Sequence, residues 1–177
     1  MIFVEDINIF SIFAAIIELM IEDRYKYNSV DMAKFIVAYA NEHNFGINMT
    51  KLQKLLYIAY GTFMSVKNYR LVNEHPQAWP YGPVFPTTRN KLLKTDMSSI
   101  TFENVGEIKD DEEVKQLVKI VFDSFGLRTG ADLSAWSHKP NSPWDLTVNT
   151  KGFKWGDQIP DAYIQDYFNS ILVRNEA

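Results

Sequence analysis

The chain has 177 residues, of which 46 % are hydrophobic and 14 % aromatic, and this content is ample for one packed domain. It contains no cysteine, which excludes disulfide bonds, thiolate zinc sites and a cysteine nucleophile. A chain without cysteine also suits a reducing compartment, so we expect it in the cytoplasm. The net charge of −4 is too small to indicate a partner by itself.

Charge is unevenly distributed in the middle of the chain. Residues 51–95 carry seven basic side chains against one acidic side chain, Glu74, whereas residues 96–113 carry seven acidic side chains against Lys109. The two stretches either complement each other in the fold or present opposed faces to a partner. No basic run interleaved with aromatic residues is present, so solvated surfaces are favoured over a nucleic-acid patch, and we expect no direct DNA binding.

The N-terminal segment 7–21 is apolar on almost every side. It does not fit a signal peptide, because its flank carries Glu5 and Asp6 and no small-residue cleavage site follows Ile21. It is shorter than the roughly 20 residues of a membrane-spanning helix, and Glu18 lies within it. We predict a helix that is buried either against the body or, in the second alternative, against another chain by self-association through residues 7–21, and we expect no membrane attachment.

Helical periodicity begins at Ser29. This residue is a candidate N-cap of a first helix, which Gly46 would end. A second helix begins at Asn48 or Thr50, and one apolar stripe follows at helical spacing: Leu52, Leu55, Leu56, Ala59 and Phe63.

Further helices are predicted downstream. They are a short helix at 87–93, a helix over 114–125 that ends at Gly126, a brief helix capped by Thr129 and Asp132, and a last helix from Pro160. Segment 97–109 breaks the helical period and predicts either a loop or a short β-hairpin. We therefore expect a mainly α, single compact helical domain with long proline- and aromatic-rich loops and, in the second alternative, one short hairpin.

The sequence lacks the usual sets of catalytic residues. His43, His75 and His138 stand far apart, and none has the i, i+4 spacing of a helical metal pair, so we expect no metal site. Ser137 and His138 are neighbours that would face different sides of a helix, without a nucleophile elbow. No glycine-rich loop is present to hold phosphate, and no cofactor is expected.

The segment QAWPYGPVFP, residues 77–86, combines prolines with aromatic residues. Each proline fixes its own φ and pushes the preceding residue toward an extended conformation, whereas Gly82 permits a turn. Trp79, Tyr81 and Phe85 therefore keep little conformational freedom. The rings either fill the core beside the second helix or present a pre-ordered binding surface, because rigid aromatic side chains lose little entropy on docking. Similarly, His138 at a predicted helix end is either a hydrogen-bonded structural residue or a catalytic one.

Three blocks together resemble the Panacea domain, also described as SocA-like or phage GepA-like: LQKLLYIAYG at 52–61, QAWPYGPVFP at 77–86 and LSAWSHKPNSPW at 133–144. The resemblance covers the chain from about Ser29 to the last helix. It predicts an apolar N-terminal accessory extension at 1–28 and a Panacea-like domain at 29–177. The alternative is a true start at or near Met32.

The resemblance implies a mainly helical, non-enzymatic antitoxin of a bacterial or prophage toxin–antitoxin system. Members neutralise a toxin encoded by the adjacent gene, usually by direct protein binding. A proteolytic adaptor that delivers the toxin to the ClpXP protease is one alternative. An enzyme that reverses a toxin's modification, using His138 with Asp132 or Asp145, is the alternative from another class.

The same motifs supply candidate site residues. We expect exposed partner-binding side chains at Lys51, Lys54, Tyr57, Trp79 and Tyr81. We expect structural roles at the remaining motif positions: Leu52, Gln53, Leu55, Leu56, Gly82, Pro83, His138, Pro143 and Trp144.

Overall fold

The computed structural model of this chain describes residues 24–175, with side-chain environments as far as Ile171. The helix predicted at 7–21 lies outside the described residues. Those described are mainly helical, which confirms the predicted fold class. The helices are α1 (Ser29–Glu42), α2 (Met49–Lys67), α3 (Pro86–Leu92), α4 (Glu112–Phe125), α5 (Gly130–Ser137), α6 (Pro143–Val148) and α7 (Asp161–Asn175).

Asparagine side chains cap the starts of α1 and α2, and an asparagine backbone in the left-handed conformation follows the end of α1. Asn28, rather than Ser29, caps α1, because its side-chain oxygen accepts the Val30 N–H at 2.9 Å. The helix ends before Gly46, since Asn44 takes the left-handed conformation (φ 58°) and the Phe45 N–H returns to the Ala40 carbonyl at 2.8 Å. Of the two starts predicted for α2, the structure shows Asn48 as the N-cap.

Helix α2 is the centre of the domain. Its predicted apolar stripe is buried, and it packs against α1, α4, α5 and α7. Burial continues well beyond one stripe, because neighbouring elements cover the helix from several sides. The helices predicted downstream are also present: α4 has the predicted end at Phe125, the Thr129–Asp132 capping box starts α5, and α7 begins directly after Pro160.

Two small sheets flank α2. Strand β1 (Tyr25–Tyr27) pairs in parallel with β2 (Arg70–Val72), and β3 (Gln77–Trp79) pairs antiparallel with β4 (Gly82–Val84). The β3–β4 hairpin lies in the proline-rich segment, whereas the hairpin considered for 97–109 is wrong. Short 3₁₀ turns occupy that stretch, and one of them is closed by a capping box between Thr101 and Asn104.

The basic and acidic stretches meet at one end of α2. Lys67 pairs with Glu113, and Lys26 of β1 pairs with Glu113 and, at 2.9 Å, with Asp111. The Lys67–Glu113 pair supports charge complementarity between the two stretches at this point, whereas Lys26 lies outside the basic stretch. Among residues 24–175, no helix combines the length and the apolarity that crossing a membrane requires.

Candidate protein-binding surface

The three sequence blocks converge on the β3–β4 hairpin. From α2, the Gln53 side-chain oxygen accepts the Phe85 N–H at 2.7 Å, and the Lys54 ammonium donates to the Pro83 carbonyl at 2.9 Å. The two side chains are adjacent in the sequence, and both bind the short stretch of backbone from Pro83 to Phe85 on its α2 side. The strand β4 therefore has a fixed position on α2 although it is only three residues long.

Helices α5 and α6 hold the other side of the hairpin. The Trp144 indole N–H donates to the Trp79 carbonyl at 2.9 Å, and the Ser134 hydroxyl donates to the Tyr81 carbonyl at 3.1 Å. The hairpin is thus hydrogen-bonded on two sides, and the turn at Pro80 and Tyr81 is its outward end. The rigidity predicted from the prolines thus has a second source in these contacts.

Gly82 lies where the hairpin meets both supports. Its φ of +101° is a conformation that side chains disfavour, and an added Cβ would lie 2.5 Å from the Ser137 Oγ and 2.6 Å from the Lys54 Cε. The glycine is therefore required both by the backbone conformation and by the close approach of Lys54.

Lys54 is buried without a carboxylate partner within the described residues. Lys54 is 1 % exposed, and its ammonium donates to the Pro83 carbonyl. Burial lowers the pKa of Lys54 to about 7, because the low-dielectric surroundings disfavour the charged form. Burial, and then the nearby Lys54 charge, also lower the pKa of His138.

The structure places His138 against Trp144. The two rings stack with centroids 3.8 Å apart, and His138 Nε2 is buried without a hydrogen-bond partner in the described residues. Neither aspartate proposed for an enzyme reaches it: Asp132 accepts from Thr129 at the far end of α5, and Asp145 accepts the Asn141 N–H at 2.9 Å. His138 is therefore part of the packing under the hairpin rather than one member of an acid–base pair.

Exposure differs from the sequence prediction at three of the five partner-binding candidates. Lys51, Lys54 and Tyr57 are 6 %, 1 % and 1 % exposed, so the exposed positions predicted for them are wrong. The Lys51 ammonium donates inward to the carbonyls of Gly46 at 2.8 Å and Gly126 at 2.6 Å. The Tyr57 ring packs edge-on against Phe168.

The other two candidates lie at the surface. Tyr81 is 78 % exposed at the tip of the hairpin, and Trp79 is half-buried beside it. The positions expected to be structural are buried or bonded in the hairpin support, including Leu52, Leu55, Leu56, Pro83 and Pro143.

A groove of about 420 Å³ lies between the hairpin, the first half of α2 and α3. We call it the hairpin groove, and its lining includes Gln53, Lys54, Trp79, Tyr81, Arg89 and Leu93. The Arg89 guanidinium lies 5.5 Å from the centre of the Trp79 ring. Sequence reasoning missed Arg89 and Leu93, because α3 is too short for periodicity to show which of its faces meets the hairpin.

The geometry defines a small helical domain organised around a supported aromatic hairpin. Residues 52–145, more than half of the chain, match the sequence profile of the family described as "Antitoxin SocA-like, Panacea domain". The chain belongs to this family, which confirms the resemblance of the three sequence blocks. Antitoxin SocA of Caulobacter vibrioides (strain NA1000 / CB15N) is 29 % identical over 161 residues, which cover 83 % of this chain and 85 % of that protein. No solved structure matches the chain.

Proposed function

We propose that this protein is the antitoxin of a bacterial or prophage toxin–antitoxin system of the type II kind and neutralises a protein toxin by direct binding. The toxin is the product of the adjacent gene, and both proteins act in the cytoplasm. Membership of the SocA-like Panacea family is the observation that carries this proposal.

The hairpin supports binding as the mode of action. Tyr81 projects into solvent from a turn whose backbone is hydrogen-bonded to α2 and α5. An aromatic side chain on a fixed backbone loses little entropy when it docks, and such residues dominate the binding energy of protein interfaces. We therefore place toxin contacts at Trp79 and Tyr81, and we assign Lys51, Lys54 and Tyr57 the role of holding that surface in place from within.

The surroundings of His138 favour a non-enzymatic role. A general base needs a group that orients it and a path to its substrate. In the described residues the ring is stacked on Trp144, and its buried Nε2 has no partner. The proposal therefore assigns neutralisation to the binding surface and no chemical step to this histidine.

The test is co-expression with the product of the adjacent gene, scored by growth rescue and by gel filtration of the purified proteins. Rescue together with a stable complex supports direct neutralisation. Rescue without a complex contradicts it, and toxin lifetime in a strain lacking ClpXP then distinguishes the two alternatives. A toxin that persists only in that strain indicates the proteolytic adaptor. A toxin whose lifetime is the same in both strains, while its modification is reversed in cells that contain this protein, indicates an enzyme.

A further inference from the structure

The lining of the hairpin groove contains two basic side chains and no acidic one. They are Lys54 of α2 and Arg89 of α3, and no carboxylate lies within ion-pair distance of either in residues 24–175. The one acidic residue of the neighbouring sequence, Glu74, is engaged elsewhere, because its carboxylate accepts from Ser29, Thr87 and Thr88. The groove thus holds positive charge that the described fold does not neutralise.

Lys54 has unused donor capacity. An ammonium offers three N–H donors, and the Pro83 carbonyl accepts from Lys54 at 2.9 Å as its one acceptor in the described residues. Burial without a counter-ion disfavours the charged form of Lys54, and a carboxylate bound nearby favours that form. Arg89, whose guanidinium lies 5.5 Å from the centre of the Trp79 ring at the same groove, offers a fork of donors suited to a carboxylate.

Apolar groups surround these two cations. Trp79, Tyr81 and Leu93 contribute to the lining, and both Tyr81 and Leu93 are exposed to solvent in the free protein. A volume of about 420 Å³ accommodates a few amino-acid side chains. Large exposed apolar residues beside an unpaired charge are typical of a surface that a partner covers.

A second groove of similar size differs in this respect. It measures about 490 Å³ and lies between α1 and α4, with Phe35 and Tyr39 in its lining. Its lysines already face carboxylates: Lys109 with Glu103, Lys115 with Glu112, and Lys119 with Asp123. Of these two grooves, only the hairpin groove combines an apolar lining with basic side chains that have no carboxylate partner among the described residues.

We propose that the hairpin groove binds an acidic, partly apolar segment of the toxin, with a toxin carboxylate paired to Arg89 above the buried Lys54. Apolar toxin side chains then lie against Trp79, Tyr81 and Leu93. This inference rests on the proposed function and assigns the chemistry of the partner segment. One accessible guanidinium beside a buried lysine in a small aromatic groove suits a single carboxylate better than the extended phosphate backbone of a nucleic acid.

The experiment is titration calorimetry of the purified toxin with groove variants and matched controls. We expect Arg89→Glu and Leu93→Asp to weaken binding at least about tenfold, because one reverses the charge and the other places a charge in the apolar contact. Lys151→Glu and Leu127→Asp make the same changes at exposed residues that do not line the groove, and we expect both to bind as the parent does. Arg89→Gln is a milder second variant, and circular dichroism with urea unfolding checks that every variant is folded.

A charge exchange identifies the partner group. Replacing the acidic residues of the toxin one at a time by arginine should yield one variant that binds Arg89→Glu better than it binds the parent antitoxin. Folded Arg89→Glu and Leu93→Asp proteins that bind the toxin as tightly as the parent would overturn the groove assignment and leave the antitoxin function standing. A parent protein that forms no complex with the toxin overturns the proposed function and this inference with it.

A third outcome concerns self-association. If the parent protein alone forms a dimer that Arg89→Glu dissociates, the groove binds a second copy of this chain, and the toxin assignment is wrong. Light scattering across a concentration series measures this directly. A monomer that is unchanged by the substitution supports the toxin as the occupant.

Discussion

The side chain of Lys54 lies directly beneath Gly82: a methyl group added to the glycine would lie 2.6 Å from Lys54 Cε. We predict that Gly82→Ala lowers the free energy of unfolding by roughly 2–4 kcal/mol, because it combines a left-handed φ with a clash in a filled site. Urea unfolding measures the change. Gly152→Ala is the matched control, since its φ is +88° but open space surrounds it, and it should cost only about 1 kcal/mol. Equal losses for both variants would contradict the close contact with Lys54.

The stability of the protein should rise between pH 7 and pH 9. The folded-state pKa of Lys54 is lowered to about 7 from 10.5, so in this range the unfolded state binds a proton that the folded state has released. The contribution of Lys54 to the free energy of unfolding is therefore lowest below pH 7, and it increases as the pH rises toward 10.5. The expected gain is roughly 2 kcal/mol from pH 7 to pH 9.

Lys54→Met should remove most of this slope in urea unfolding at pH 7, 8 and 9. His138 and Arg89 lie near Lys54, and the lowered pKa of His138 affects stability below its usual value of 6.5 instead. The raised pKa of Tyr27 and of Tyr60 acts above pH 10 and in the opposite direction. Lys151→Met at an exposed position is the control that should keep the slope. An unchanged slope in Lys54→Met would show that another group causes the pH dependence.

Trp144→Phe should loosen the hairpin without removing the aromatic ring beneath it. The substitution deletes the indole N–H that donates to the Trp79 carbonyl at 2.9 Å, and we expect a loss of about 1 kcal/mol. Amide hydrogen exchange should show lower protection at the β3–β4 pairs. Tyr163→Phe, at an exposed side chain of α7, should leave both quantities unchanged. Full protection of the hairpin in Trp144→Phe would mean that its remaining hydrogen bonds, including those from Lys54, Gln53 and Ser134, fix it without the indole N–H.

Glu74 replaces the missing N-cap of α3. Phe85 occupies the cap position and has no side-chain acceptor, while the Glu74 carboxylate accepts from the Thr88 N–H at 3.1 Å and from the Ser29 hydroxyl at 2.8 Å. We predict that Glu74→Ala destabilises the protein by about 2–3 kcal/mol, because several donors lose a charged acceptor. It should also weaken toxin binding, since α3 carries Arg89. Glu103→Ala, on an exposed side chain, should change stability by less than about 0.5 kcal/mol.

Much of the helical framework follows from local sequence. The stripe of α2 and the capping box of Thr129 and Asp132 depend on residues three to eleven positions apart, and both are present as predicted. The structure of segment 97–109 does not follow from local sequence, because 3₁₀ turns have little periodicity and resemble a loop or a hairpin in sequence. The β3–β4 strands are also too short and too rich in proline for a strand pattern.

Burial of the lysines could not be predicted from the helix that carries them. A lysine between apolar positions usually extends to solvent, which is why Lys51 and Lys54 were expected at the surface. Their acceptors are carbonyls of Gly126 and Pro83, which belong to other elements and carry no signal in side-chain sequence. The prolines did predict a rigid loop, and Tyr81 is exposed as expected. Which face of α3 completes the groove depends on tertiary packing alone.

The packing of Phe168 on α2 has a consequence for how the protein is made. The ring occupies the space beside Gly61, where an added Cβ would lie 2.2 Å from it, and also contacts Tyr57. Gly61 and Tyr57 leave the ribosome long before α7 does, so this side of α2 stays uncovered until α7 has been translated. The nascent chain therefore completes this part of its core only after α7 has been synthesised, and until then this apolar side of α2 is open to chaperones and proteases.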